Sequence, residues 1–145
     1  MRISTKGRYG LRAMIDIAVN SSGSPVPLSA IAQRQQISEY YLEHVFASLR
    51  KSGLVRSEKG AQGGYELAEE PEKITVKDVL YALEGDMSII DSDKKNWNSM
   101  DYFLNDKVWK KIDESIENII SSLTLRDLIS EYKNLENNIS YMYYI

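Results

Sequence analysis

Three side chains able to read nucleic-acid bases recur at helical spacing in the first third of the chain: Tyr40, Glu43 and His44. Residues three or four apart share one face of a helix. The segment that holds them, from about Glu39 to Lys51, carries the apolar stripe Leu42, Val45, Phe46 and Leu49, the i, i+3, i+4, i+7 pattern of a half-buried helix. Helical geometry sets Tyr40, His44, Ala47 and Lys51 opposite that stripe, with Glu43 on its flank. A carboxylate can accept from cytosine N4, an imidazole can bond a base edge or a phosphate, and a tyrosine can touch a thymine methyl or bond a phosphate. Arg50 and Lys51 suit phosphate neutralisation. An acid weakens attraction to a polyanion, so Glu43 points to selectivity rather than to affinity. A merely solvated polar face is the competing reading of the same pattern.

A helix of this kind needs a scaffold, and the flanking sequence supplies one. Leu11, Met14, Ile15 and Ala18 predict a first helix from about Lys6 to Asn20, ended by Ser21-Ser22-Gly23-Ser24-Pro25. Leu28 to Gln35 reads as a short second helix. Ser38 is placed to cap the third, and Gly53 to end it. Leu54 to Glu58 reads as a strand, Gly60-Ala61-Gln62-Gly63-Gly64 as a glycine-rich turn, and Tyr65-Glu66-Leu67 as the start of a return strand. Three short helices followed by a glycine-tipped ribbon are the parts of a winged helix-turn-helix, whose third helix fits a major groove. The expected fold is mainly α with a small β-hairpin wing, followed by a long C-terminal dimerisation helix.

The rest of the chain is read more coarsely. Thr75 to Asp78 fits a capping box and opens a helix through about Leu83, with Gly85 past its end. Residues 86–103 are polar and poorly periodic, and are expected to form a loop. Val108, Ile112, Ile116, Ile119, Ile120 and Leu123 mark a long amphipathic helix. A second capping box at Thr124 to Asp127 opens a helix to about Leu135. The expected division is a DNA-binding domain over residues 1–85, and a linker, dimerisation helix and tail over residues 86–145. The Val108 to Leu123 stripe can instead cover the winged domain of its own chain. Pairing is favoured because two-fold operators call for two-fold proteins.

Charge is distributed unevenly. Residues 1–67 hold nine Lys/Arg against five Asp/Glu, a net +4, while the remainder carries −7, so the whole chain is at −3. A basic half joined to an acidic half suggests a polyanion-binding surface on the first. Backbone N–H groups at Gly60, Gly63 and Gly64 can approach phosphate closely, because no Cβ obstructs them. Arg56 and Lys59 flank that tip and suit a minor groove. Arg2, Ser4, Thr5, Lys6 and Arg8 form a further expected phosphate grip. With Ser38, Tyr40, Tyr41, Glu43, His44, Arg50 and Lys51, these residues complete the expected DNA-binding set.

Other functions find little support. The 145 residues contain no cysteine and one histidine, which excludes disulfides, thiolate zinc sites, all-cysteine iron–sulfur clusters and, within one chain, a multi-histidine metal site. No nucleotide-binding fingerprint is present, because no Gly-Lys-Ser/Thr follows the glycine turn. No catalytic residue, cofactor or metal is expected, and the chain does not read as an enzyme. No apolar run approaches the roughly 18 residues of a membrane span. Met1 to Lys6 lacks the apolar block of a signal peptide, so the expected location is the cytoplasm. The competing class is a protein-interaction module built on a winged fold without specific DNA binding.

The motifs Met1-Arg2-Ile3-Ser4-Thr5-Lys6-Gly7-Arg8-Tyr9-Gly10, Tyr41-Leu42-Glu43, Leu49-Arg50-Lys51-Ser52-Gly53-Leu54-Val55 and Gly60-Ala61-Gln62-Gly63-Gly64-Tyr65 together resemble the Rrf-two family of bacterial winged-helix regulators. They span residues 1–67, and Ile74 to Gly85 extends the likeness more weakly. The resemblance implies a homodimer held by a long C-terminal helix and bound to an inverted or near-inverted repeat, usually as a repressor. It implies base reading near Glu43 and Tyr40, and a minor-groove contact near Arg56 and Lys59. Cluster-binding members carry three cysteines after the helix that ends here near Gly85. This chain offers Ser88, Ser92 and Ser99 there, and a hydroxyl does not replace an iron-ligating thiolate. The likeness is therefore to the cysteine-free, CymR-type branch, whose members govern cysteine metabolism together with cysteine synthase. The ending Tyr141-Met142-Tyr143-Tyr144-Ile145 resembles that branch's tail. The resemblance implies that Tyr143, Tyr144 and the Ile145 carboxylate dock in that enzyme, although an apolar tail can equally pack on the protein's own dimer core.

Overall fold

The computed structural model describes residues 2–91 and 93–144, with the side chain of residue 144 left out. The first half follows the winged pattern. α1 (Thr5–Asn20), α2 (Leu28–Gln35) and α3 (Glu39–Lys51) precede a two-stranded antiparallel ribbon, β1 (Val55–Glu58) and β2 (Gly64–Leu67). Its register pairs Val55 with Leu67 and Glu58 with Gly64. A single 3₁₀ turn at Pro71–Lys73 leads to α4 (Val76–Glu84).

The caps explain these boundaries. The Ser38 hydroxyl accepts from the Tyr41 N–H at 3.1 Å, starting α3 where an otherwise unpaired N–H needs a partner. Gln36 adopts a left-handed conformation (φ 57°) and turns the chain between α2 and α3. Thr75 and Asp78 form the reciprocal capping box at α4, and Thr124 and Asp127 repeat it further on.

The second half departs from the expected loop. Asn98 and Asp101 form another capping box, which opens α5 (Ser99–Leu104) inside the segment read as irregular. One wide π-type turn, Asn105–Trp109, joins α5 to α6 (Lys110–Ser122). α7 (Leu125–Tyr144) runs well past the expected end at Leu135 and takes in the segment read as a tail.

The core forms where α1, α3 and α4 meet under the wing. Met14, Ile17, Ile31, Leu42, Val45, Phe46, Leu49 and Val79 are fully buried there. Leu125 and Ile129 of α7 join the same core, so the part beyond residue 85 is anchored in the first part. The α6–α7 turn is also pinned, by Val76 N–H to Leu123 C=O and Leu125 N–H to Ile74 C=O, both 2.8 Å. Gly7 and Gly10 let α4 approach α1 closely. A Cβ on Gly10 would stand 2.0 Å from Leu83 Cδ1, and one on Gly7 2.2 Å from Glu84 Oε1.

The six-residue stripe read as a dimerisation face is divided. Ile120 is buried against Val76 and Leu80 of its own chain, and Ile116 and Leu123 pack on that cluster. Val108 is half-buried. Ile112 and Ile119 stay open, at 41% and 59% exposure. At about 100° of helical rotation per residue, Ile119 and Ile112 lie on one edge of the stripe and Ile120 on the other, about 80–100° round. One edge covers the chain's own α4; the other faces outward.

Candidate nucleic-acid interface

α3 presents the side chains that the sequence pattern singled out. Its Leu42, Val45, Phe46 and Leu49 are wholly buried, which fixes the helix's rotation about its axis. Tyr40 is 74% exposed, and Glu43, His44, Ala47, Arg50 and Lys51 are exposed with it. Tyr40 and His44 meet edge to face, with ring centroids 4.9 Å apart. An edge-to-face contact of this kind favours the mutual orientation of the two rings. Tyr41 differs from its neighbours. It is half-buried against the core, and its ring stands edge-on to Tyr9 at 5.8 Å.

The N-terminal residues divide in the same way. Arg2 and Arg8 are exposed. Arg8 is steadied by the Thr5 hydroxyl at 3.2 Å and by the Tyr9 ring. The Lys6 ammonium donates to the Ser48 hydroxyl at 2.9 Å, linking α1 to the flank of α3. Ser4 does not offer a free hydroxyl. Its oxygen accepts from Gly7 N–H at 3.2 Å to cap α1, and its proton goes to Glu84 Oε1. The Ser4 N–H also donates to that carboxylate, at 2.9 Å. Ser4 therefore anchors the N-terminal arm to the end of α4, and the adjacent carboxylate opposes a phosphate at that hydroxyl. Ser38, by contrast, uses only an acceptor lone pair in capping and keeps its O–H proton to donate outward.

The wing's glycines also separate by role. Gly60 lies at the exposed tip with φ 113°, and nothing stands within 4 Å of where its Cβ would be. Gly63 and Gly64 are half-buried, and their missing side chains serve the chain's own packing. A Cβ on Gly63 would meet Glu58 O at 2.3 Å, and one on Gly64 would meet Val26 O at 2.3 Å. The second contact arises because Val26 and Tyr65 exchange two backbone bonds of 2.8 Å, hooking the wing to the segment before α2. Arg56 is exposed but pairs across the ribbon with Glu66 at 3.4 Å. Lys59 is exposed at the tip, and no ion pair involves it among the described residues.

Pattern reading missed several supports of this face: the Ser4–Glu84 anchor, the Lys6–Ser48 bond and the Val26–Tyr65 hook. Only the glycines gave a signal. Gly7 and Gly10 cost stability inside a helix, and such residues mark a close approach.

The model of the family described as Rrf2, iron-dependent transcriptional regulator, matches residues 3–131. The chain belongs to the Rrf2 family. It is 40% identical over 147 aligned positions to the HTH-type transcriptional regulator CymR of Bacillus subtilis, covering the whole of both chains. It is 36% identical to the HTH-type transcriptional regulator IscR of Photorhabdus laumondii, over 94% of this chain and 84% of that one. The solved structure of B. subtilis CymR, described as the global cysteine regulator, superposes with a TM-score of 0.78 at 39% identity, over 90% of this chain and 98% of that chain. IscR of T. potens gives 0.73 at 43% identity, over 91% and 88%. The chain is thus a CymR-like transcriptional regulator with the winged-helix fold of its relatives, which are regulators rather than enzymes.

The family description names iron, and this Rrf2 chain lacks the thiolates that an all-cysteine iron–sulfur cluster requires. It has no cysteine and one histidine, and among the described residues no group of three or more His, Asp or Glu side chains is placed to hold a metal. Ser88 spends its hydroxyl on Asp113 Oδ2 at 2.9 Å, Ser99 is exposed at the start of α5, and Ser92 lies outside the described residues. Among the described residues no helix is long and apolar enough to cross a membrane.

Proposed function

We propose that the chain represses transcription as a homodimer that reads an inverted-repeat operator through α3 of each subunit. Residues 1–85 supply the DNA-binding part, and residues 86–145 the pairing and partner-binding part. Tyr40, Glu43 and His44 face base edges in the major groove. Arg2, Lys6, Arg8, Ser38, Arg50 and Lys51 hold phosphates, and Arg56, Lys59 and Gly60 bring the wing to the adjacent minor groove. The observation that carries this reading is the exposure of Tyr40, Glu43 and His44 on a helix whose opposite side is sealed in the core. Pairing through the open edge of α6, at Ile112 and Ile119, is supported by two isoleucines that a lone chain leaves in water.

The test is a gel shift with genomic fragments recovered on the protein, repeated across salt. Neutralising six or more phosphates weakens binding by roughly a thousandfold or more between 50 and 200 mM salt. Binding that ignores both salt and fragment sequence would leave the winged fold as a protein-interaction module.

The same reading extends to control of cysteine metabolism with cysteine synthase as partner, as the likeness to a cysteine regulator suggests. The partner contact falls on Tyr143, Tyr144 and Ile145. Tyr141, Met142 and Tyr143 stand exposed at the end of α7, with Tyr143 at 86%, which supports a tail available to another molecule. Ile145 and the Tyr144 side chain lie outside the described residues. An extended insertion requires the last turn of α7 to unwind, and terminal turns fray at little cost.

A further inference from the structure

A groove of about 540 Å³ opens between α1, the end of α2 and α7, within the size range of small-molecule sites. Its floor is the half-buried aliphatic pair Ile15 and Val19. Beside them lies an ion pair between the buried Asp16 and the exposed Arg34. Asp16 has a side chain only 1% exposed and accepts from Arg34 Nε at 3.0 Å, Arg34 Nη2 at 2.7 Å and Gln35 Nε2 at 2.8 Å. Those bonds neutralise Asp16 and Arg34 against each other.

Arg12, on the α1 wall, is a different kind of cation. Its Nε donates to Gln35 Oε1 at 3.3 Å, a terminal nitrogen donates to the Gln35 carbonyl, and its guanidinium carbon lies 5.1 Å from the Tyr9 ring centre. The Gln35 amide thus bridges Asp16 and Arg12 and orients the guanidinium. Among the described residues no carboxylate stands within 4.0 Å of Arg12. On the α7 wall, Glu136 likewise has no cationic partner among the described residues, and its proximity raises the neighbouring Tyr132 hydroxyl above its ordinary value. An oriented, uncompensated guanidinium and an uncompensated carboxylate therefore share one groove with an apolar floor.

We propose that this groove binds a small zwitterion, a free L-α-amino acid or a dipeptide. The ligand carboxylate meets Arg12, where a guanidinium can offer two parallel N–H bonds. Its ammonium meets Glu136, and its side chain lies on Ile15 and Val19, with the Asn20 amide at the rim. The site stands apart from the outward face of α3, so its test does not depend on DNA binding.

The full-length chain, labelled with nitrogen-15, is titrated with each of the standard free L-amino acids and their glycyl dipeptides. The side-chain amide signals of Asn20 and Gln35 are followed by NMR. At least one compound shifts both signals saturably. Its analogues lacking the ammonium or the carboxylate bind at least roughly tenfold more weakly, as does the native ligand to Arg12→Gln or Glu136→Gln. Glu136→Gln replaces an exposed helix residue, so its remaining spectrum stays that of the folded protein. The proposal is overturned if no compound moves these signals, or if one-ended analogues or Glu136→Gln bind equally well. Signals that move with protein concentration alone would assign the groove to a second copy and overturn it too.

Discussion

Replacing Gly64 by alanine should unhook the wing from the helical body while leaving the helices folded. An added Cβ would stand 2.3 Å from Val26 O, 2.4 Å from Val26 C and 2.7 Å from Pro27 N. All three are backbone atoms, so no side-chain rotation relieves the clash. The chain must separate at the Val26–Tyr65 pairing, losing two backbone bonds of 2.8 Å. At about 0.5–1.5 kcal/mol for each bond and about 1–3 kcal/mol for forced overpacking, the local cost is roughly 2–6 kcal/mol. Gly60→Ala is the control, because nothing lies within 4 Å of its Cβ and only the strain of φ 113° remains, about 1–3 kcal/mol confined to the exposed tip. Amide hydrogen exchange reads the difference directly. The Val26 and Tyr65 amides of Gly64→Ala exchange roughly 30-fold faster or more, whereas amides in α1 and α3 keep their protection. DNA affinity falls with them. Unchanged protection of Val26 and Tyr65, or an equal loss in Gly60→Ala, would refute the packing argument.

Other consequences are open to measurement. Ile119→Glu places a charge on the open edge of α6 and should yield folded monomers by light scattering; a variant that stays dimeric would contradict the pairing. Ile120→Ala instead hollows the chain's own α4–α6 contact and should cost about 2–4 kcal/mol in urea unfolding. Glu117 is held below its usual carboxylate value chiefly by its bond to Lys77, and Lys77 is raised above its ordinary value chiefly by the same bond. The α4–α6 tie is therefore complete above the ordinary carboxylate value and lost as pH falls through Glu117's lowered one; at the alkaline end it fails only as pH rises through the raised value of Lys77. Glu117→Gln should unfold earlier than the native chain at neutral pH, with the gap closing in acid, and a gap that persists at low pH would contradict the assignment. Deleting Tyr144 and Ile145 should abolish capture by cysteine synthase in a pull-down; undiminished capture by a folded dimer would return the tail to packing on the dimer itself.

How far the sequence specified this molecule depends on the range of the forces involved. Helix starts at Ser38, Thr75 and Thr124 were legible because a cap is a contact between residues three apart. The outward set on α3 was legible because Leu42, Val45, Phe46 and Leu49 fix its rotation. α5 was missed because its box, Asn98 with Asp101, opens a helix of only six residues, too short to show a period. α7 outran its expected end because Leu135, Ile139 and Met142 continue the helical spacing with no core residue to confirm it. The α6 stripe shows the limit most clearly. Periodicity gave its width, but not that Ile120 turns to α4 while Ile112 and Ile119 turn away. The contacts of Ser4 with Glu84 and the close approach of Gly64 to Val26 were not legible, because those partners lie tens of residues away in sequence.

The claim that α3 reads sequence through its outward face is tested most directly by selecting binding sites from a random DNA pool, in parallel with the native protein and Glu43→Ala. Loss of one base-edge contact costs about 1–3 kcal/mol of discrimination. Glu43→Ala should therefore recover the same two-fold site with preference relaxed at one symmetric pair of positions, and with overall affinity undiminished or higher because an acid has left the interface. An identical base preference at every position in both selections would contradict it.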